Sequence, residues 1–121
     1  MRLAVPSMAP GGIDAERSGH FGRCDFFTIL NFDDDKKYTG CDIVENPPHV
    51  EGGCLAPVNL LAGHEVDAIV VMGIGMRPLM GFKSVGIQVL VSEGGVVSEV
   101  RDHFVKGEVG AIQENQVCGG H

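Results

Sequence analysis

The chain opens on a first strand, Arg2–Pro6, apolar at every position after Arg2. A loop containing glycine and proline, Ser7 to Arg23, separates it from a second run, Asp25–Phe32, rich in aromatic and β-branched residues. The polar string Asp33-Asp34-Asp35-Lys36-Lys37 reads as a solvated hairpin turn, and Tyr38–Glu45 as a third strand. Asn46-Pro47-Pro48 ends that strand, because proline cannot donate to a ladder. The period then changes. Leu55, Val58, Leu61 and Ala62 form one helical stripe, which predicts a first helix from about Cys54 to Gly63, with Pro57 in its first turn. Asp67–Met72, apolar at every position after Asp67, reads as a fourth strand covered on both faces. A second helix over Met76–Ser84, a fifth strand over Ile87–Val91 and a third helix over Val96–Lys106 follow. Val97, Val100 and Phe104 lie on one face of the last helix.

The order β-β-β-α-β-α-β-α implies an antiparallel meander joined to two right-handed parallel units. The expected fold is α/β: a mixed five-stranded sheet with helices on both faces. Residues 1–112 read as a single domain and 113–121 as a mobile tail, with Val109 and Ile112 as the last packing positions.

Composition narrows the function. Glycine supplies 18 of 121 residues, against a usual ~7%, which points to tight turns or close approach of backbone to a ligand. The net charge of −7 gives no basic footprint, so nucleic acid is not an expected partner. No apolar run nears the ~18 residues of a membrane span, and no signal-peptide layout is present, so the expected setting is cytoplasmic. The four cysteines then read as thiols or metal ligands rather than disulfides, and no Cys-x-x-Cys pair forms a zinc knuckle.

If the first strand points up, strands one, three, four and five all end at one edge. Five motifs belong to that edge or to the tail: His20-Phe21-Gly22-Arg23-Cys24, Glu45-Asn46-Pro47, Gly52-Gly53-Cys54, Gly73-Ile74-Gly75 and Cys118-Gly119-Gly120-His121. Open α/β sheets bind ligands beyond the carboxyl ends of their strands. Helix amino ends after Gly53 and Gly75 favour an anion, and the glycines let it approach the backbone. Arg23 and Arg77 add positive charge. Cys54, at a helix amino end, is expected to ionise readily to the thiolate that binds metals. Cys118 and His121 have chelating separation and could close over a bound group or pass it on. Soft ligands, free N–H groups and a little positive charge suit an anionic metal–sulfur cluster better than an organic substrate.

In their order and spacing these motifs, with the strand Val66-Asp67-Ala68-Ile69, resemble the dinitrogenase iron–molybdenum cofactor-binding family over about residues 1–112. That family includes nitrogenase cofactor carriers and small stand-alone domains that carry a molybdenum–copper sulfide cluster. The resemblance implies a ribonuclease H-like fold and a carrier rather than an enzyme. Its cargo would be a metal–sulfur cluster of molybdenum with iron or copper. It also implies His20, Cys24 and Cys54 as ligands. The implied partners are proteins that donate or accept the cluster, among them a nucleotide-binding ATPase.

Simpler roles compete at several positions. Phe21 is a core plug, and Cys41 shares a strand face with Ile43 and reads as structural. His49 lies in the loop before Gly52. His64 suits a helix carboxyl end, and His103 falls near the end of the third helix, at the opposite edge. Met76 and Met80, one turn apart, read as helix packing rather than a copper(I) pair. Other classes fit less well. A two-metal nuclease needs clustered carboxylates, and the first strand has none. Gly73-Ile74-Gly75 lacks the rest of a nucleotide fingerprint, which leaves an anion- or nucleotide-binding regulatory module without metal as the alternative. A thiol hydrolase pairing Cys54 with His20 or His49 lacks an orienting third residue.

Overall fold

The computed structural model describes residues 1–18, 24–46, 56–72, 74, 76–92 and 95–111. In chain order they form β1 (Arg2–Ser7), β2 (Phe26–Phe32), β3 (Tyr38–Glu45), α1 (Ala56–Gly63), β4 (Ala68–Val71), α2 (Met76–Ser84), β5 (Gln88–Val91), α3 (Val97–Val105) and β6 (Gly110–Ala111). The strands make one sheet in the order β3-β2-β1-β4-β5-β6. β1 is antiparallel to β2 and parallel to β4, β2 is antiparallel to β3, and β5 is parallel to β4.

The five expected strands are therefore present in a mixed sheet, and a sixth joins the far edge. The sequence reading of five strands needs that correction. β6 has two residues, held to β5 through Leu90↔Ala111 and Val91↔Gly110. Backbone pairing over so short a stretch leaves no mark in hydrophobic periodicity. Residues 112–121, which include the expected tail, lie outside the described residues.

Alternation along the strands divides the core in two. Ala4, Phe27, Ile29, Ile69, Val71 and Val89 face one side, where Val58 and Leu61 of α1 and Leu79 and Phe82 of α2 cover them. Leu3, Val5, Leu30, Ala68, Val70 and Leu90 face the other, covered by Val97 and Val100 of α3. Helices on both faces leave β4 buried at every position, which is why its sequence is continuously apolar. β3 is the opposite case: an edge strand, partly or fully exposed throughout.

Polar contacts set the ends of these elements. The Arg2 N–H donates to Asp67 Oδ2 at 2.8 Å, and its side chain donates to the His64 carbonyl at 3.0 Å and to Asp42 Oδ2 at 3.1 Å. One residue thus ties the start of β1 to β3 and to the turn after α1. Asp42 is held below the usual carboxylate range by hydrogen bonds from Asn31 and Arg2. At the start of α3, Glu99 Oε1 accepts from the Gly95 and Val96 N–H groups, each at 3.2 Å, and so satisfies two donors of the helix amino end.

Phe27 is fully buried in the α1/α2 layer. Phe27→Ala is expected to lower unfolding free energy by about 3–5 kcal/mol in urea titration. A loss below ~1 kcal/mol would contradict the packing described.

Candidate functional site

The carboxyl edge of the sheet is fixed by register. Leu3 stands level with Ala68, and Ala68 with Gln88. At the far end of the parallel pair Val71 stands level with Val91. On the other side Ser7 opposes Phe26, which opposes Glu45. The ends of β1, β3, β4 and β5 thus form a single rim, as their order in the chain implies.

Across this rim lies the loop after β1. Its first turn closes with the Gly11 N–H on the Met8 carbonyl at 2.8 Å. Gly11 has φ +76°, and a Cβ there would stand 2.9 Å from Ile43 Cγ2 and 3.2 Å from Phe26 Cβ, so only glycine fits. Beneath it, the buried Ser7 and Thr28 hydroxyls lie 2.8 Å apart, and Thr28 Oγ1 accepts from the Gly12 N–H at 3.0 Å. Beyond this turn, Arg17 and Glu16 form isolated antiparallel bridges to Ser7 and Val96. On one flank the Met8 N–H donates to the Glu16 carbonyl and the Ser18 N–H to the Pro6 carbonyl, both at 2.9 Å. On the other, Arg17 donates to the Gly95 carbonyl at 2.8 Å, while Val97 and Ser98 donate to the Ala15 and Ile13 carbonyls at 3.0 and 2.9 Å. The Arg17 guanidinium, buried with its residue only 6% exposed, donates through Nη1 to the Ser92 carbonyl at 2.8 Å. Burial lowers its pKa and the nearby Glu99 carboxylate opposes that shift.

A second fixed point stands at Cys24. Asn46 Nδ2 donates to the Cys24 carbonyl at 2.9 Å and lies 3.7 Å from its Sγ. The Asn46 backbone N–H donates to the Asp25 carbonyl at 3.1 Å. Cys24 is buried against the α1/α2 core. Burial pushes its thiol from 9.0 up to about 11, against the pull of hydrogen bonds from Ser7 and Asn46. Burial thus opposes ionisation of this thiol, and a metal binding there would have to displace its proton.

Of the other residues expected at the site, His20, Arg23, Gly52, Gly53, Cys54, Gly73, Gly75, Cys118 and His121 lie outside the described residues, as do Phe21 and His49. Arg77 is the second residue of α2, and its side chain is not among those described. The flanks of the undescribed segments are fixed: Ser18 and Cys24 bound 19–23, Asn46 and Ala56 bound 47–55, and buried Ile74 separates Gly73 from Gly75. Among the described residues no three His, Cys, Asp or Glu side chains come together as a metal-ligand group.

Two secondary expectations change. Met80 is 56% exposed rather than packed, since it lies on the outer side of α2. His103 does not lie at the opposite edge. It lines a cavity of about 500 Å³ with Val71, Met72, Val91, Ser92, Glu108 and Gly110. The chain doubles back after α3 to form β6, which brings Glu108 and Gly110 beside the ends of β4 and β5, on the same side as His103. Cys41 packs on the α3-side core, in keeping with a structural role. Arg17 and the Ser7–Thr28 pair were missed in sequence. Polar residues within otherwise apolar stretches were the available signal for the pair, and Arg17 had none.

Taken together these features define a small α/β domain with four strand ends collected on one rim and a docked loop across it. The chain belongs to the dinitrogenase iron-molybdenum cofactor family, whose model matches residues 1–107. It is 30% identical over 112 residues to an uncharacterized protein of Methanocaldococcus jannaschii, spanning 90% of this chain and 89% of that one. It is similar to the crystal structure of PH0822, with 28% identity, a TM-score of 0.80 and coverage of 94% and 98% of the two chains. It also matches the apo form of the orange protein from Desulfovibrio gigas, with 23% identity, a TM-score of 0.76 and 92% coverage of each chain. At that identity the last likeness shows the fold alone. No helix among the described residues is long and apolar enough to cross a membrane.

Two outcomes follow at Cys24. Its raised pKa stabilises the fold fully below pH 9.0, and that contribution is lost as pH rises toward about 11. Alkylation at pH 8, read by mass spectrometry, is expected to spare Cys24 in the folded chain and modify it in denaturant. Equal rates in both states would contradict its burial. Asn46→Ala removes the bond to the Cys24 carbonyl and is expected to cost about 1 kcal/mol in chemical denaturation. No loss would contradict that bond.

Proposed function

We propose that the chain binds and carries an anionic metal–sulfur cluster at the carboxyl rim of its sheet, without catalysing a reaction on it. Family membership supports the cofactor theme. The observation that carries the reading is the hydrogen bond from Asn46 to Cys24. It ties the root of the segment bearing His20 to the root of the segment bearing Cys54. In this reading His20 and Cys54 are the protein ligands, and backbone N–H groups of Gly52, Gly53, Gly73 and Gly75 approach the sulfide face. Arg23 and Arg77 offset the charge of the cluster. Cys24 is a third ligand in this reading, and its buried thiol gives up its proton on binding the metal.

Cys118 and His121 act in transfer, as a pair that engages the cluster when a donor or acceptor protein docks. A nucleotide-binding ATPase is such a partner on the resemblance noted above. The cargo contains molybdenum with iron or copper. A ribonuclease H-like fold accords with the mixed sheet covered on both faces.

Loading of His20→Ala, Cys54→Ala and the double variant with a preformed cluster tests the assignment. Each single change is expected to weaken retention through desalting, and the double change to abolish it. Wild-type retention by the double variant would remove these ligands from the reading.

A further inference from the structure

We infer that Arg17 is a positioning residue for the rim, a cross-link between the docked loop and the connection from β5 to α3. The inference rests on the carrier reading and adds a residue to it. A guanidinium taken out of water destabilises a fold unless its donors are used. At this position an aliphatic side chain would fill the same space without that cost. The Arg17 side chain adds a bond that an aliphatic residue cannot make, from Nη1 to the Ser92 carbonyl at 2.8 Å, beside the backbone N–H bond to the Gly95 carbonyl, also at 2.8 Å, that any residue but proline could make there. These acceptors bracket residues 93–94 from both sides. The next residue, Ser18, is anchored on the Pro6 carbonyl, at the end of β1.

The charge of Arg17 is also accounted for. Glu99 is the carboxylate that acts on it, and the same carboxylate occupies the amino end of α3 through Gly95 and Val96. That helix end is therefore already engaged by the protein's own anion. Arg17 and Glu99 thus both act at the start of α3, and β1 is joined to it through the loop. Lysine would keep the charge but lacks the planar fork.

Native-state hydrogen exchange on wild type, Arg17→Met and Arg17→Lys tests the cross-link, with amides of β4 as the folding control in each chain. In Arg17→Met, amides of Arg17, Val97 and Ser98 are expected to exchange at least about tenfold faster, the loss of one charge-assisted bond, while β4 stays protected. Thiomolybdate with copper(I) then probes the rim. Arg17→Met is expected to bind it about tenfold more weakly, with the absorption band of the saturated complex shifted. Arg17→Lys is expected to recover part of the affinity. Should Arg17→Met not fold, the same comparison is made between wild type and Arg17→Lys. Unchanged exchange overturns the cross-link, and changed exchange with unchanged affinity and spectrum overturns its service to the site. Wild type that retains no thiometalate overturns the carrier reading itself. Wild type that loads beside an equally loading Arg17→Met overturns only this inference.

Discussion

β1 is the strand on which the rest of the molecule is registered. It pairs antiparallel with β2 and parallel with β4, so it joins the meander to the two parallel units. Because β3 and β5 are each one strand further out, their directions follow from the same two pairings. Four strand ends therefore meet at one rim. Had β1 paired antiparallel with β4, the connections after β1 and β4 would open at opposite ends of the sheet. The apolar alternation of Leu3, Ala4 and Val5, all fully buried, opposes any slip of that register, since a shift by one residue would exchange the faces turned to α3 and to α1 and α2.

On this base the rim is held by polar contacts as well as by the packing of Ala15 and Cys24 into the two core layers. The loop after β1 is bonded to β1 on one flank and to the start of α3 on the other. The hydroxyls of Ser7 and Thr28 satisfy each other beneath it, and Asn46 joins the end of β3 to the start of β2. Among the described residues every buried side-chain nitrogen or oxygen has a partner. A frame of this kind keeps its own donors occupied.

The sequence was most legible where burial dictates pattern. Tyr38–Glu45 and Met76–Ser84 were bounded as observed, and β4 announced itself as an unbroken apolar run. The family was legible because several short motifs keep their order along the chain. What escaped was structure made by backbone bonds and by long-range proximity. β6 is two residues of pairing without a pattern. The contacts of Arg17 with Ser92 and Gly95 cross more than half the chain, which no local window reveals. Position in a helix misled for His103, because the return of the chain toward β6 decided its surroundings. For Cys24 the motif was legible in sequence, whereas the burial that raises its thiol pKa was not.

The central claim is that this chain holds an anionic metal–sulfur species. The direct measurement is metal and sulfide content of the apo chain after anaerobic incubation with iron and sulfide, with thiomolybdate and copper, or with zinc, each followed by desalting. Stoichiometric retention of a coloured metal–sulfur species from one of the first two is the predicted result. Retention of zinc alone, or of no metal at all, would contradict the account.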